Sequence, residues 1–311
     1  MDVLVRTFVE AKADQVPLLA AGVAFFGLLA LVPALVAFVS LYGLLADPGD
    51  VARHVGDLLG AAPGEVRDLV ENQLEALTED ADGSIGVGLA AGLAVALWSA
   101  SSGMKHLIEA LNTAYDEEEG RGFFRLRGLA LLLTVGAVLF LVVAMVVLTV
   151  VPTLLEGSAL GSAAETALSI LRWPALAAAF AAGLAVMYRY APSRDEAEWR
   201  WVTPGAVVAT LLWLVASAGF SLYVSSFGSY NETYGSLGGV VIAMLWLFIT
   251  AYVVILGAEL DAEMERQTVR DTTEGRDEPL GQREAQAADT VGATAEQVRA
   301  ERRREKATAN R

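Results

Sequence analysis

Long apolar blocks alternate with polar connections along this chain, and the blocks are too long for the core elements of a soluble domain. The first runs over residues 17–46 (PLLAAGVAFFGLLALVPALVAFVSLYGLLA), with Pro33 inside it. A shorter block covers 84–101, and four more follow at 128–155, 164–190, 202–227 and 237–259. About 18 or more apolar residues in a helix cross a hydrocarbon core of roughly 30 Å, so the pattern predicts six transmembrane helices. The expected fold is all-α, an integral membrane helical bundle. Pro33 removes a helical hydrogen bond and should kink its span, whereas Pro174 and Pro204 sit near span ends, where proline is tolerated.

The connections are informative in their own right. Residues 1–16 form a short polar segment without the layout of a cleavable signal. Residues 47–83 hold ten acids against Arg53 and Arg67, and Val66, Leu69, Val70, Leu74 and Leu77 share one helical face. This predicts a short outer helical cap. In 103–115, Met104, Leu107, Ile108, Leu111 and Tyr115 fall on one face, while Lys105 and Glu109 can pair at i,i+4 on the other. That stretch is too short to span and reads as an interfacial amphipathic helix. Small residues at Ser84, Gly88 and Gly92 offer a close-packing face. A similar face at 179–183 suits internal packing or self-association equally. Hydrophobicity collapses after residue 260, so 261–311 is expected to be a charged, disordered tail. The first three spans show no repeat of the last three, and an inverted-repeat plan is unsupported.

Composition sharpens this picture. The chain is 55% hydrophobic and 19% charged, and its mean hydropathy is +0.48. Of 22 Lys and Arg, 19 fall in the N-terminus, the connections after spans two and four, and the tail. By the positive-inside rule both termini are cytoplasmic, in a multi-pass plasma-membrane protein. The net charge of −15 argues against nucleic acid as a partner. Only three residues are Lys, against nineteen Arg, a bias that fits either life in concentrated salt or a GC-rich genome. There is no Cys, and His54 and His106 lie in different segments, so no thiolate or histidine metal site is expected, nor any cofactor. Membrane lipid is the expected partner.

Candidate chemistry is sparse. Glu259 closes the sixth span, about 33 Å along the helix from Leu237. An ionisable residue inside a span is a functional candidate; the alternative is a carboxylate paired with Arg125, Arg127 or Arg189. Arg172 beside Trp173 reads as an interfacial anchor. The outer stretch 227–239 is dense in glycine, hydroxyl and aromatic groups, including Tyr230, Asn231, Tyr234, Gly235, Ser236 and Gly238. It is either a gate or substrate mouth, with Tyr223 and Pro33 on the same path, or a plain turn. Asn231-Glu232-Thr233 fits the N-glycosylation pattern on the outer side, but so short a motif beside the membrane is a weak signal. Ser99, Ser101 and Ser102 near His106 read as a polar helix end rather than a hydrolase site, and no phosphate loop, HExxH or nucleophile elbow is present. The chain is not expected to be an enzyme. The basic triplet at 302–304 is flanked by Glu301 and Glu305 and reads as solvated.

Several short elements in fixed order carry a resemblance. They are Ala21-Gly22-Val23-Ala24-Phe25-Phe26 with Pro33, Leu97-Trp98-Ser99-Ala100-Ser101-Ser102, and Asn112-Thr113-Ala114-Tyr115. Then come Tyr188-Arg189-Tyr190-Ala191-Pro192, the WRWVTPG run ending at Gly205, Ser217-x-x-Phe220-x-x-Tyr223, the Tyr230–Gly238 motif, and Gly257-Ala258-Glu259-Leu260. Over roughly residues 10 to 265 the chain resembles the YihY/BrkB membrane-protein family, with Asp261 where that family commonly has Asn. The resemblance implies six spans and an envelope role, with links to lipid or lipopolysaccharide export. An older family label, ribonuclease BN, finds no support in the residues. Transporter-like handling of lipid or another envelope component is therefore expected, through a polar cleft lined by spans one, five and six. The alternative is a non-transporting scaffold binding partners through its cap and tail, and a membrane hydrolase ranks below both.

Overall fold

The computed structural model describes residues 2–43, 84–155, 162–225, 236–294 and 296–297. The long elements among the described residues are all helices: α1 (Asp2–Ala13), α2 (Val16–Gly43), α3 (Ser84–Ala114), α4 (Phe123–Leu155), α5 (Ser162–Tyr190), α6 (Trp199–Ser225) and α7 (Ser236–Glu265), followed by the short α8 (Gln286–Asp289). An isolated bridge between Ala197 and Thr273 is the extended pairing seen among these residues. Five helices, α2 and α4 to α7, are long and apolar enough to cross a membrane. Their outer surfaces expose large apolar side chains such as Leu29, Leu132, Leu141, Leu211, Val215 and Val241, as hydrocarbon surroundings require. The predicted cap at 47–83 lies outside the described residues.

α7 is the central helix, packed against α6, α2, α1 and α3; α2 also packs on α3 and α4, and α5 on α6. Glycine makes the closest of these approaches. A methyl group on Gly257 would lie 2.5 Å from the Tyr188 hydroxyl and 2.7 Å from Ala209 Cβ, and one on Gly205 would overlap the Gly257 carbonyl and the Asp261 carboxylate. Bare backbone at both positions lets α6 and α7 cross tightly. Gly103 does the same for α3 on α2, where a Cβ would meet that of Ala30 at 3.1 Å. The predicted face through Gly92 does not make such a contact, since Gly92 and Gly183 both face open space.

Two expectations change. Residues 103–115 are not a separate interfacial helix. α3 runs unbroken from Ser84 to Ala114, and Ile108, Leu111 and Tyr115 are fully buried. Ser101 bonds back to the Trp98 carbonyl at 2.7 Å and so stays within the helix. Pro33 lies within the continuous helix α2. The N-terminal segment is itself helical: α1 packs on α7, its Arg6 is buried, and the chain turns into α2 at Gln15 (φ +53°).

The second change concerns the tail. Residues 266–294 fold back across the end of the bundle. Glu198 N–H donates to the Thr272 carbonyl (2.9 Å), Glu274 N–H to that of Glu196 (2.8 Å), and Asp195 N–H to that of Glu284 (3.1 Å). Arg283 is buried and donates to four carbonyls, those of Val269, Arg270, Glu278 and Ala288. Alternating charge read as solvation, but Arg266 and Glu274 pair with Asp116 and Arg189, far away in sequence.

Candidate functional site: a ladder of buried carboxylates

The end of α7 reads Glu259-Leu260-Asp261-Ala262-Glu263-Met264-Glu265, with an acid at every second position. Two residues turn a helix by about 200°, so alternate acids fall on opposite faces and those four apart stack. Such a ladder would normally leave one face in water. Here all four are buried, with at most 2% of each residue exposed, because the last turns of α7 are covered by α1, by α6 and by the segments that carry Arg194 and Thr272.

On one face, Glu263 takes the Arg6 guanidinium of α1 in a close ion pair, and Arg266 at 2.6 Å. Arg266 also pairs closely with Asp116. One turn deeper, about 6 Å along the axis, Glu259 faces the carboxyl of Asp14 at the α1–α2 turn. Its Oε1 is buried without a hydrogen-bond partner. Burial raises the pKa of the Asp14 carboxyl, with Asp116 adding to the shift and Glu259 and Arg266 opposing it. Two facing carboxyls with no cation between them hold a second negative charge only at high cost.

The opposite face repeats the plan. Glu265 accepts both terminal nitrogens of Arg194 (3.1 and 2.8 Å) and the Thr272 hydroxyl (2.9 Å). The guanidinium lies 5.2 Å from the centre of the Tyr115 ring. The Tyr115 hydroxyl is pushed well above its ordinary pKa by burial and then by Asp261 and Glu265. One turn deeper again, Asp261 accepts the Gly205 N–H at 2.6 Å, and its other oxygen has no partner. On each face, therefore, the acid nearer the helix end is matched by arginine and the inner one is not.

The surrounding motif residues brace this ladder. The Tyr188 hydroxyl donates to the Val254 carbonyl (2.7 Å). Arg189 binds the Ala197 carbonyl (2.7 Å), Glu196 (2.9 Å) and, closely, Glu274. Asn112 holds the Ser193 N–H (2.8 Å) and Glu119 (2.9 Å). Burial alone would raise Glu119, but hydrogen bonds from the Arg121 guanidinium and N–H and from Asn112 carry it down to about 2. A cavity of about 440 Å³ opens here beside Arg121, Arg189, Arg194, Glu196 and Glu284.

Among the described residues, those expected on a substrate path are spread along the length of the bundle. Glu259 sits in the ladder, away from Arg125 and Arg127, while Arg189 is engaged by Glu196 and Glu274. Gly238 is buried at the other end of α7, about 31 Å away by helix rise. Ser236 is the first residue of α7, Tyr223 is half exposed near the end of α6, and Pro33 lies within α2. Tyr230, Asn231, Tyr234 and Gly235 lie outside the described residues. Nor does either described cavity lie in the expected cleft, since α7 packs directly on both α2 and α6. Reading the sequence for charges inside spans finds Glu259 but misses Asp14, Asp261, Glu263 and Glu265. The available signal was the two-residue acid spacing directly after an apolar span.

Residues 7–281 match the family model for virulence factor BrkB. The chain belongs to this family. A Bacillus subtilis (strain 168) protein named as ribonuclease-like, YfkH, is 33% identical over 261 residues, covering 79% of this chain and 89% of the relative. A UPF0761 membrane protein of Tolumonas auensis is 37% identical over 94 residues, 30% of this chain and 31% of that protein. One from Pseudoalteromonas translucida is 34% identical over 92 residues, 30% of each. These two alignments thus span under a third of those relatives. No solved structure matches. Within the BrkB family, this chain is a membrane protein with several spanning helices, and its segments 188–192, 199–205 and 257–260 meet around the inner half of the ladder.

Proposed function

We propose that this protein is a transporter-like handler of lipid or another envelope component, held in the plasma membrane by six spans with both termini cytoplasmic. Glu259 carries the proposal: it is a buried acid within a span, one oxygen has no partner, and it faces a second carboxyl rather than a cation. Nature keeps ionisable groups at such cost mainly where a proton or substrate passes. The sidedness is supported by the folding of the N-terminal helix, the 115–122 and 190–198 connections and residues 266–294 onto one end. Those segments hold eight of the 14 Lys and Arg among the described residues. Ser84–Ala114 would supply the sixth span, with its first half in the membrane and its second in the charged end. The outer tyrosine- and glycine-rich motif, with Tyr230, Asn231, Tyr234 and Gly235, would gate the far side.

One observation favours a non-transporting scaffold instead: α7 packs directly on both α2 and α6, where a cleft was expected. The two readings separate by perturbation. A scaffold loses function on deletion of 47–83 or of the tail and tolerates changes at Glu259 and Ser236; a transporter does the reverse at Glu259. The ribonuclease-like name belongs to the Bacillus relative and is not carried over to this chain. Transbilayer movement of a headgroup-labelled lipid in liposomes, wild type against Glu259→Gln, tests the proposal.

A further inference from the structure

A second cavity, of about 230 Å³, opens between α3 and α4 and is lined by Ser102, Lys105, His106, Phe123, Leu126 and Arg127. It lies at the first turn of α4, where the candidate span Phe123–Leu148 begins, and so at the boundary of the hydrocarbon. Arg127 donates to the Trp98 carbonyl (2.6 Å) and the Ser102 hydroxyl (3.2 Å), both neutral, and its guanidinium lies 4.4 Å from the Trp98 ring centre. Its Nε is buried without a partner. Lys105 is tethered to Glu109 at 3.0 Å and still one-third exposed, and His106 stacks on Phe26 with ring centres 3.6 Å apart. The rim is apolar and open: Phe124 is 87% exposed and Phe123 66%. The 440 Å³ cavity differs, because each of its arginines already has a carboxylate partner.

We infer that this pocket binds the phosphate of an anionic phospholipid headgroup, with Arg127 and Lys105 as the phosphate cations, Ser102 as a hydroxyl ligand and Phe123 and Phe124 against the acyl chains. Basic pockets between spanning helices at headgroup depth are suited to this chemistry. Among the described residues the two cations exceed the one acid paired with them, Glu109, and helix N-termini favour anions. The exposed phenylalanines select a ligand with a hydrocarbon part over a free anion. Such binding holds whether or not the protein moves lipid across the bilayer.

The test uses the full-length protein in zwitterionic detergent and native mass spectrometry with phosphatidylglycerol, phosphatidylcholine or inorganic phosphate as the probe. Wild type should prefer phosphatidylglycerol. Arg127→Gln and Lys105→Gln should each weaken it about five-fold, the worth of one cation near a membrane phosphate. Glu109→Gln, which releases Lys105, should tighten it, and Arg127→Lys should retain most of the binding. The exposed Arg125, two residues from Arg127 and outside the cavity lining, is the control: Arg125→Gln should change little. Equal binding of phosphatidylcholine, an equal loss in Arg125→Gln, or inorganic phosphate competing as well as the lipid would each overturn the assignment. Unchanged melting temperatures of the two exposed-charge variants, Lys105→Gln and Arg125→Gln, separate loss of binding from loss of fold.

Discussion

Replacing Glu265 by Gln removes one negative charge and almost no volume from the most enclosed ion pair of the bundle. The Glu265 and Arg194 side chains are 0% and 1% exposed. The amide oxygen of Gln can still accept from Arg194 or the Thr272 hydroxyl, so what is lost is chiefly charge. Leaving a buried guanidinium without its counter-ion costs about 3–5 kcal/mol. Asp261 and Glu117 lie within Coulombic reach of Arg194, which places the expected loss at the low end, about 3 kcal/mol. At roughly 2 °C per kcal/mol for a chain of this size, the melting temperature in detergent should fall by about 6 °C. Because Thr272 shares this carboxylate, residues 266–294 should also become more open to hydrogen exchange and protease. The double variant Glu265→Leu/Arg194→Met, which removes both charges, should recover most of the loss, since an apolar pair of similar volume is often as stable as a buried ion pair. A single variant that melts within about 1 °C of wild type, or a double variant worse than the single, would refute the placement of this pair.

Other consequences are equally open to measurement. Asp261→Asn keeps an acceptor for the Gly205 N–H and removes an unmatched charge, so thermal melting should show no loss, whereas Asp261→Ala orphans that donor and should cost about 1–3 kcal/mol. Gly257→Ala drives a methyl into Tyr188 and Ala209 and should destabilise by about 1–3 kcal/mol, read from the same melts; an unchanged melt would mean the α6–α7 crossing is looser than described. Glu119 has its pKa depressed from 4.5 to about 2, so its stabilisation is complete above pH 4.5 and is lost as pH falls through about 2. Glu119→Gln should remove that part of the acid limb and cost up to about 3 kcal/mol at neutral pH. Melts of both proteins across pH 2 to 7 that run parallel would contradict this.

The sequence reads well wherever surroundings decide the pattern. Apolar runs marked the helices from Val16, Phe123, Ile170, Trp199 and Gly238 because each faces hydrocarbon on its outer side. The pattern fails where neighbours decide. Ser99 to Gly103 looked like a helix end, yet Gly103 is small because Ala30 presses on it, and α3 continues. Arg6, Arg194 and Arg283 carry the same letters as solvated surface residues, and nothing local distinguishes them. Glu259 was legible because it interrupts an apolar span. Its partner Asp14 was not, because the α1–α2 turn brings the two together across some 245 residues. Asp261, read as a small departure from the family's Asn, is the acceptor for the Gly205 N–H at the tight helix crossing, a role that either residue can fill.

The claim at the centre is that Glu259 serves lipid handling. It is tested most directly by reconstituting wild type and Glu259→Gln into liposomes of host-derived lipid and following transbilayer movement of a headgroup-labelled lipid. Wild type should move the label well above protein-free liposomes, and folded Glu259→Gln should fall back to that background. Wild-type protein that is folded and inserted yet moves no label, or a Glu259→Gln variant as fast as wild type, would contradict it.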